Sequence, residues 1–190
     1  MVDKTKVCEA LSRAQVFTEP FNHLVIKNLL ADSDFKDLKF TVENTHSGKK
    51  PSNVAMDHQI IIDTKNTEDH QDFWHNWHQV FESKEVKEIL KQKFNIEDNF
   101  NHMRCDIHKC EPGFVLGRHN DVKKDAKDIV SLQIYISEND KNNGVVLDDI
   151  KHIANNPNTA WAFACGENTW HSVENVTRTR HSVLMKYIVT

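Results

Sequence analysis

The chain has 190 residues, with 24 Lys plus Arg against 28 Asp plus Glu and a net charge of −4. That length can bury a core of its own, and that charge gives no reason to expect nucleic acid or a membrane surface as a partner. No apolar run is long enough to span a bilayer and the opening MVDKTKVCEALSRAQ lacks a signal-peptide core, so a cytoplasmic protein with reduced thiols at Cys8, Cys105, Cys110 and Cys165 is expected.

Taken in order, PFNHLVIKNLL follows Pro20 and contains the strand-like HLVIK. Asp32-Ser33-Asp34 then opens a short helix, with Phe35 and Leu38 spaced for one face. QIIID at 59–63 reads as a strand. Thr67, followed by Glu68 and Asp69, is expected to cap a helix through Ser83, in which Phe73, Trp77 and Val80 recur at helical period. Ser83 caps the next helix, where Val86, Ile89, Leu90 and Phe94 repeat the pattern.

Beyond residue 100 the texture changes to short strands joined by polar turns, in which Cys105 and Cys110 read as small core residues. IVSLQIYIS at 129–137 alternates: Val130, Leu132, Ile134 and Ile136 share one face, Ser131, Gln133, Tyr135 and Ser137 the other. KNNG at 141–144 reads as a turn before the strand GVVL. AWAFA and RHSVLMKYIV complete the set. The pattern predicts one domain over 1–190, with helical and strand support in 1–98 and a jelly-roll core in 101–190. The fold class is mainly β with flanking helices (α+β), the N-terminal helices packing on one sheet.

His-x-Asp occurs twice. His70 and Asp72 fall on a predicted helix, where residues two apart point to nearly opposite sides, and His75 with His78 lacks a third ligand. His119 and Asp121 fall in an extended segment, where residues two apart point the same way. His171 in ENTWHSVENV, fifty residues beyond Asp121, is the candidate third ligand. Two His and one carboxylate form a facial triad, a geometry diagnostic of non-haem Fe(II) oxygenases. A structural zinc site wants a fourth protein ligand, and none is spaced to provide it. Two ordinary readings stand beside this one: His171 next to Trp170 as a core-edge histidine, and Tyr135 as a strand aromatic.

At these residues the chain resembles the Fe(II)- and 2-oxoglutarate-dependent dioxygenases, and among them the prolyl-4-hydroxylase-like group. The likeness covers about residues 103–189. Gly113 leads into the triplet, Tyr135 follows His119 by sixteen, Gly144 precedes an apolar strand, and Arg180 follows His171 by nine. The resemblance implies a double-stranded β-helix (jelly roll, cupin-like) core and an Fe(II) ion on His119, Asp121 and His171. It also implies 2-oxoglutarate bound through Arg180 and Tyr135, with Ser131 and Ser182 on the same inward faces, and ascorbate as reductant. A planar guanidinium suits the far carboxylate. Arg178 lies on the same face by alternation, and only the family offset favours Arg180. On this reading the polar face of 131–137 looks into the barrel.

The implied reaction consumes dioxygen and hydroxylates a C–H bond, releasing succinate and CO2. A prolyl residue of a protein or peptide is the first expected substrate, and a free amino acid or small metabolite the second. The rival of another class is a non-catalytic cupin-like metal- or ligand-binding protein. Repair of nucleic acid would want further Arg residues well beyond His171 and a basic surface. Two departures from the prolyl hydroxylase pattern fall near the cofactor or substrate mouth: Cys110-Glu111 before Pro112-Gly113 where a Tyr is common, and Lys186 where some members carry an aromatic. Residues 120–128 and 138–158 are candidate mouth loops, and Lys123, Lys124 and Lys127 would favour an acidic substrate there.

Overall fold

A computed structural model describes residues 1–46, 58–122, 127–138 and 140–189. Lys123 and Lys124 therefore lie outside the described residues. The chain begins with helix α1 (Lys4–Arg13), strand β1 (Val16–Phe17), strand β2 (His23–Lys27) and helix α2 (Asp32–Asn44). Strand β3 (Gln59–Asp63) leads to helices α3 (Gln71–Phe81) and α4 (Lys84–Phe94). The rest is strand: β4 (His102–Cys110), β5 (Leu116–His119), β6 (Lys127–Tyr135), β7 (Asp140–Leu147), β8 (Lys151–Asn155), β9 (Thr159–Ala164), β10 (His171–Val173) and β11 (Arg180–Val189).

Two antiparallel sheets result. The seven-stranded sheet runs β1-β2-β9-β6-β11-β4-β3 and the four-stranded sheet β5-β10-β7-β8. The first sheet separates two environments, as the alternation in β6 requires. Val130, Leu132 and Ile134 join Val183, Met185 and Tyr187 of β11 in the main core, against Trp74, Trp77 and Phe81 of α3 and Val86 and Leu90 of α4. Tyr187, fully buried, satisfies its hydroxyl by donating to the Phe81 carbonyl at 3.0 Å. The opposite face carries the polar residues and looks toward the four-stranded sheet. The whole is a double-stranded β-helix with helices on one sheet.

Local chemistry sets the helix ends. Asp3 caps α1 by accepting from the Lys6 amide, and Ser83 caps α4 by accepting from the Val86 amide. Helix α2 runs to 13 residues, longer than expected, and starts at Ala31 without a side-chain cap. Asp32 and Asp34 in its first turn supply the favourable charge instead.

Two expectations need correction. Thr67 does not cap α3: its hydroxyl accepts from the Asp69 amide two residues on, and His70, in the left-handed region at φ 55°, is the cap residue. A hydroxyl that closes its own local turn is not free to cap a helix that starts four residues later. Nor does KNNG make a turn, because residues 141–144 lie inside β7. Asp140 pairs with Asn155 and Val145 with Ile153, so five steps of β7 run against two of β8, an irregularity that absorbs the extra residues. Gly144 is required there, since a Cβ on it would meet the Ile153 carbonyl oxygen at 2.0 Å.

Candidate active site

Antiparallel pairing sets the inward face of the large sheet in rows. Gln59, Cys110 and Arg180 share one row; Ile61, His108, Ser182 and Tyr135 the next. Leu184, Gln133 and Trp161 form the third, and Arg104, Lys186, Ser131, Phe163 and His23 the fourth. Much of this face lines a cavity of about 110 Å³ that also reaches His119, Asp121 and His171.

The last three come from the small sheet and its edge. β5 pairs with β10 so that His119 stands directly opposite His171. Gly113, at φ 96°, makes the turn into β5 while its amide donates to the Val176 carbonyl at 2.8 Å. Asp121 is not extended, as the i, i+2 argument supposed: β5 ends at His119, and Asp121 adopts φ 60°. Its carboxylate still folds back between the rings, Oδ1 at 3.6 Å from His119 Nε2 and Oδ2 at 3.9 Å from His171 Nε2. One ligand atom from each of the three residues lies within 4.8 Å of the others, and among the described residues no other such cluster occurs.

The tautomers fit a cation. Each Nδ1 faces a backbone carbonyl, Gly117 at 2.8 Å and Thr169 at 3.0 Å, so each ring donates from Nδ1 and turns an Nε2 lone pair to the cluster. Burial pushes the His171 pKa down to about 4, so the ring is neutral at pH 7. Burial alone would raise the Asp121 carboxyl; Lys186, then His171, outweigh it and hold the group below its ordinary value. Two imidazoles that each turn Nε2 inward and a carboxylate are a donor set for a divalent metal.

Arg180, 3 % exposed, also lines the cavity, and the fully buried Tyr135 stands behind it. The guanidinium carbon lies 5.1 Å from the centre of the Tyr135 ring. Arg180 Nε and the Tyr135 hydroxyl have no hydrogen-bond partner among the described residues. A buried cation without an anion is costly, and an anion bound there would offset that cost. Ser182 stands opposite Tyr135, and its hydroxyl accepts from Gln133, whose own carbonyl accepts from the Trp161 indole. Ser131 lies in the fourth row beside Cys165, away from Arg180. Arg178 is exposed and outside β11.

His108 and Gln59 also line the pocket and were not singled out from the sequence. The period-two pattern of MRCDIHKC, with Arg104, Asp106 and His108 opposed to Met103, Cys105 and Ile107, carried that signal. Of the histidines on α3, His75 bonds Gln79, and His78 bonds Thr64 and Glu82; neither joins a metal cluster.

No sequence profile of a known protein family matches the chain, and no curated protein matches it. Solved structures do. A prolyl-4-hydroxylase from Pseudomonas putida superposes with a TM-score of 0.66 at 12 % identity, over 99 % of this chain and 100 % of that one. A Trichoplax adhaerens prolyl hydroxylase, solved with a hypoxia inducible factor peptide fragment, gives 0.66 at 14 %, over 98 % and 89 %. A 2OG-Fe(II) oxygenase family oxidoreductase from Burkholderia pseudomallei gives 0.65 at 10 %, over 98 % and 90 %. The chain therefore has the fold of these oxygenases along its whole length. Among the described residues no helix is long and apolar enough to cross a membrane.

Proposed function

We propose that the protein is an Fe(II)- and 2-oxoglutarate-dependent dioxygenase that hydroxylates a C–H bond. The observation that carries this reading is one cavity lined both by a His-Asp-His cluster and by the buried Arg180, whose Nε, like the adjacent Tyr135 hydroxyl, has no hydrogen-bond partner among the described residues. His119, Asp121 and His171 would hold Fe(II), and Arg180 with Tyr135 the far carboxylate of 2-oxoglutarate. Ser182 shapes that end and, through Gln133, fixes the Trp161 ring. When bound, iron and cosubstrate supply the oxidising chemistry that consumes dioxygen and yields succinate, CO2 and a hydroxylated product.

The chain's own residues do the rest. The Gly117 and Thr169 carbonyls hold Nδ1 of each ring, so each Nε2 is aimed at the metal position. The Arg180 fork orients the cosubstrate at a fixed depth. Trp161 and Phe163, stacked at 4.8 Å, wall the cavity and exclude water beside His171. A prolyl residue of a peptide is the first substrate by likeness of fold. A free amino acid or small metabolite is favoured by Lys186 at the centre, where an aromatic would suit a peptide prolyl ring.

Purified protein with Fe(II) and ascorbate should convert 2-oxoglutarate to succinate, and His119→Ala or Asp121→Ala should abolish this. A cupin-like binder would bind Mn(II) and form no succinate.

A further inference from the structure

We infer that the substrate carries a carboxylate and that Lys186 selects for it. The inference rests on the dioxygenase reading and names the substrate class for that site. The inward side chains of β11 are Arg180, Ser182, Leu184 and Lys186, so the two cations rise from opposite ends of the strand's inward face and line one cavity. His171 packs edge-on against Trp161 and Phe163, at 5.6 and 4.9 Å, in the third and fourth rows. The metal cluster thus stands over the Lys186 end. A cosubstrate anchored on Arg180 and reaching the cluster would occupy the Arg180 side of the cavity and leave Lys186 beside the metal cluster, facing the remaining space.

The charges there do not close. Among the described residues lining the cavity, the side chains with permanent positive charge are Arg180 and Lys186, and the one acid is Asp121. Lys186 Nζ lies 3.0 Å from Asp121 Oδ2, and its side chain is 19 % exposed. That bond uses one of three ammonium donors, and no other acceptor for the ammonium occurs among the described residues. A carboxylate that ligates a metal shares its charge with the ion, which weakens its hold on the ammonium. Arg104, opposite Lys186 in register, pairs with Asp106 at 2.6 Å, so the charge of that acid is already met. With Asp121 on a metal and Arg180 on the cosubstrate, a largely buried ammonium lacks an anion, and a second carboxylate completes it. A free acid or an acidic peptide side chain can bring that carboxylate.

The test uses full-length protein held from turnover with Mn(II) and 2-oxoglutarate. Binding is measured by ligand-observed NMR for free L-amino acids, L-proline among them, and for prolyl peptides with and without a neighbouring Asp or Glu. Every acid is paired with its primary amide. Acids should bind at least about tenfold tighter than their amides, as a charge-assisted bond implies. Lys186→Met should erase that ratio, and Lys186→Arg should keep it. The free amino acid and peptide arms identify the source. Equal binding of acids and amides by the native protein, or a ratio unchanged in Lys186→Met, overturns the inference. So does a Lys186→Met defect confined to Mn(II) or 2-oxoglutarate affinity, which makes Lys186 a positioning residue for Asp121. Failure of the native protein to gain thermal stability from Mn(II) with 2-oxoglutarate sinks the dioxygenase reading instead.

Discussion

Two side chains show most plainly what residue chemistry commits this protein to. Arg180 is almost fully buried with an unpartnered Nε, and the neighbouring Tyr135 hydroxyl is equally alone. Arg180→Lys should raise the KM for 2-oxoglutarate about 100-fold, because a point charge cannot replace a planar fork. Tyr135→Phe should raise it about tenfold, the worth of one hydrogen bond to a charged group. Steady-state succinate formation checks both. His108 is the second commitment. It lines the cavity, and burial, helped by Arg180, pushes its pKa down to about 3. Between there and the ordinary value of about 6.5, the unfolded chain takes up a proton that the folded chain refuses. Stability from this group is therefore full above pH 6.5 and is lost as the pH falls toward 3. His108→Gln should show a smaller drop in melting temperature between pH 7.5 and pH 5 than the native protein.

At the scale of elements, the helix caps and one glycine carry testable weight. Ser83→Ala should cost about 1 kcal/mol in chemical denaturation, the usual worth of an N-cap. Gly144→Ala should cost about 1–3 kcal/mol, since the added Cβ meets backbone rather than a yielding side chain. The elements also show what the chain reveals unaided. Strand β6 was legible because one face packs under Trp74 and Trp77 while the other lines a polar cavity, and alternation records that division. Strand β3, α4 and its Ser83 cap were legible for similar local reasons. Helix α1 was not: Val7 and Leu11 are its two buried positions, too few to stand out in a charged segment. The β7 irregularity was not legible either, because Asn-Asn-Gly has turn chemistry that pairing with β8 overrides. Lys186 was visible as a departure from a pattern, but its contact with Asp121 spans 65 residues and exists only once the strands pair.

On the scale of the whole molecule, stability and chemistry occupy opposite faces of one sheet. The helices and the outer face of the seven-stranded sheet share a continuous apolar core. The four-stranded sheet meets the rest through two smaller clusters, one around Tyr135, Trp161 and Phe163 and one around Phe114 and Val173, with the polar cavity beside them. Local opening should therefore begin in the small sheet, where less apolar area resists it. A metal and its cosubstrate would change this, because they join the two sheets: His119 and His171 belong to β5 and β10, Arg180 to β11. Native-state hydrogen exchange follows each amide. Adding Mn(II) with 2-oxoglutarate should slow exchange in β5, β7 and β10 at least tenfold, while amides of those β4 and β11 residues whose side chains pack in the main core change little. A uniform increase across both sheets would mean instead that the molecule opens only as one unit, and that the cavity side is no weaker than the helical side.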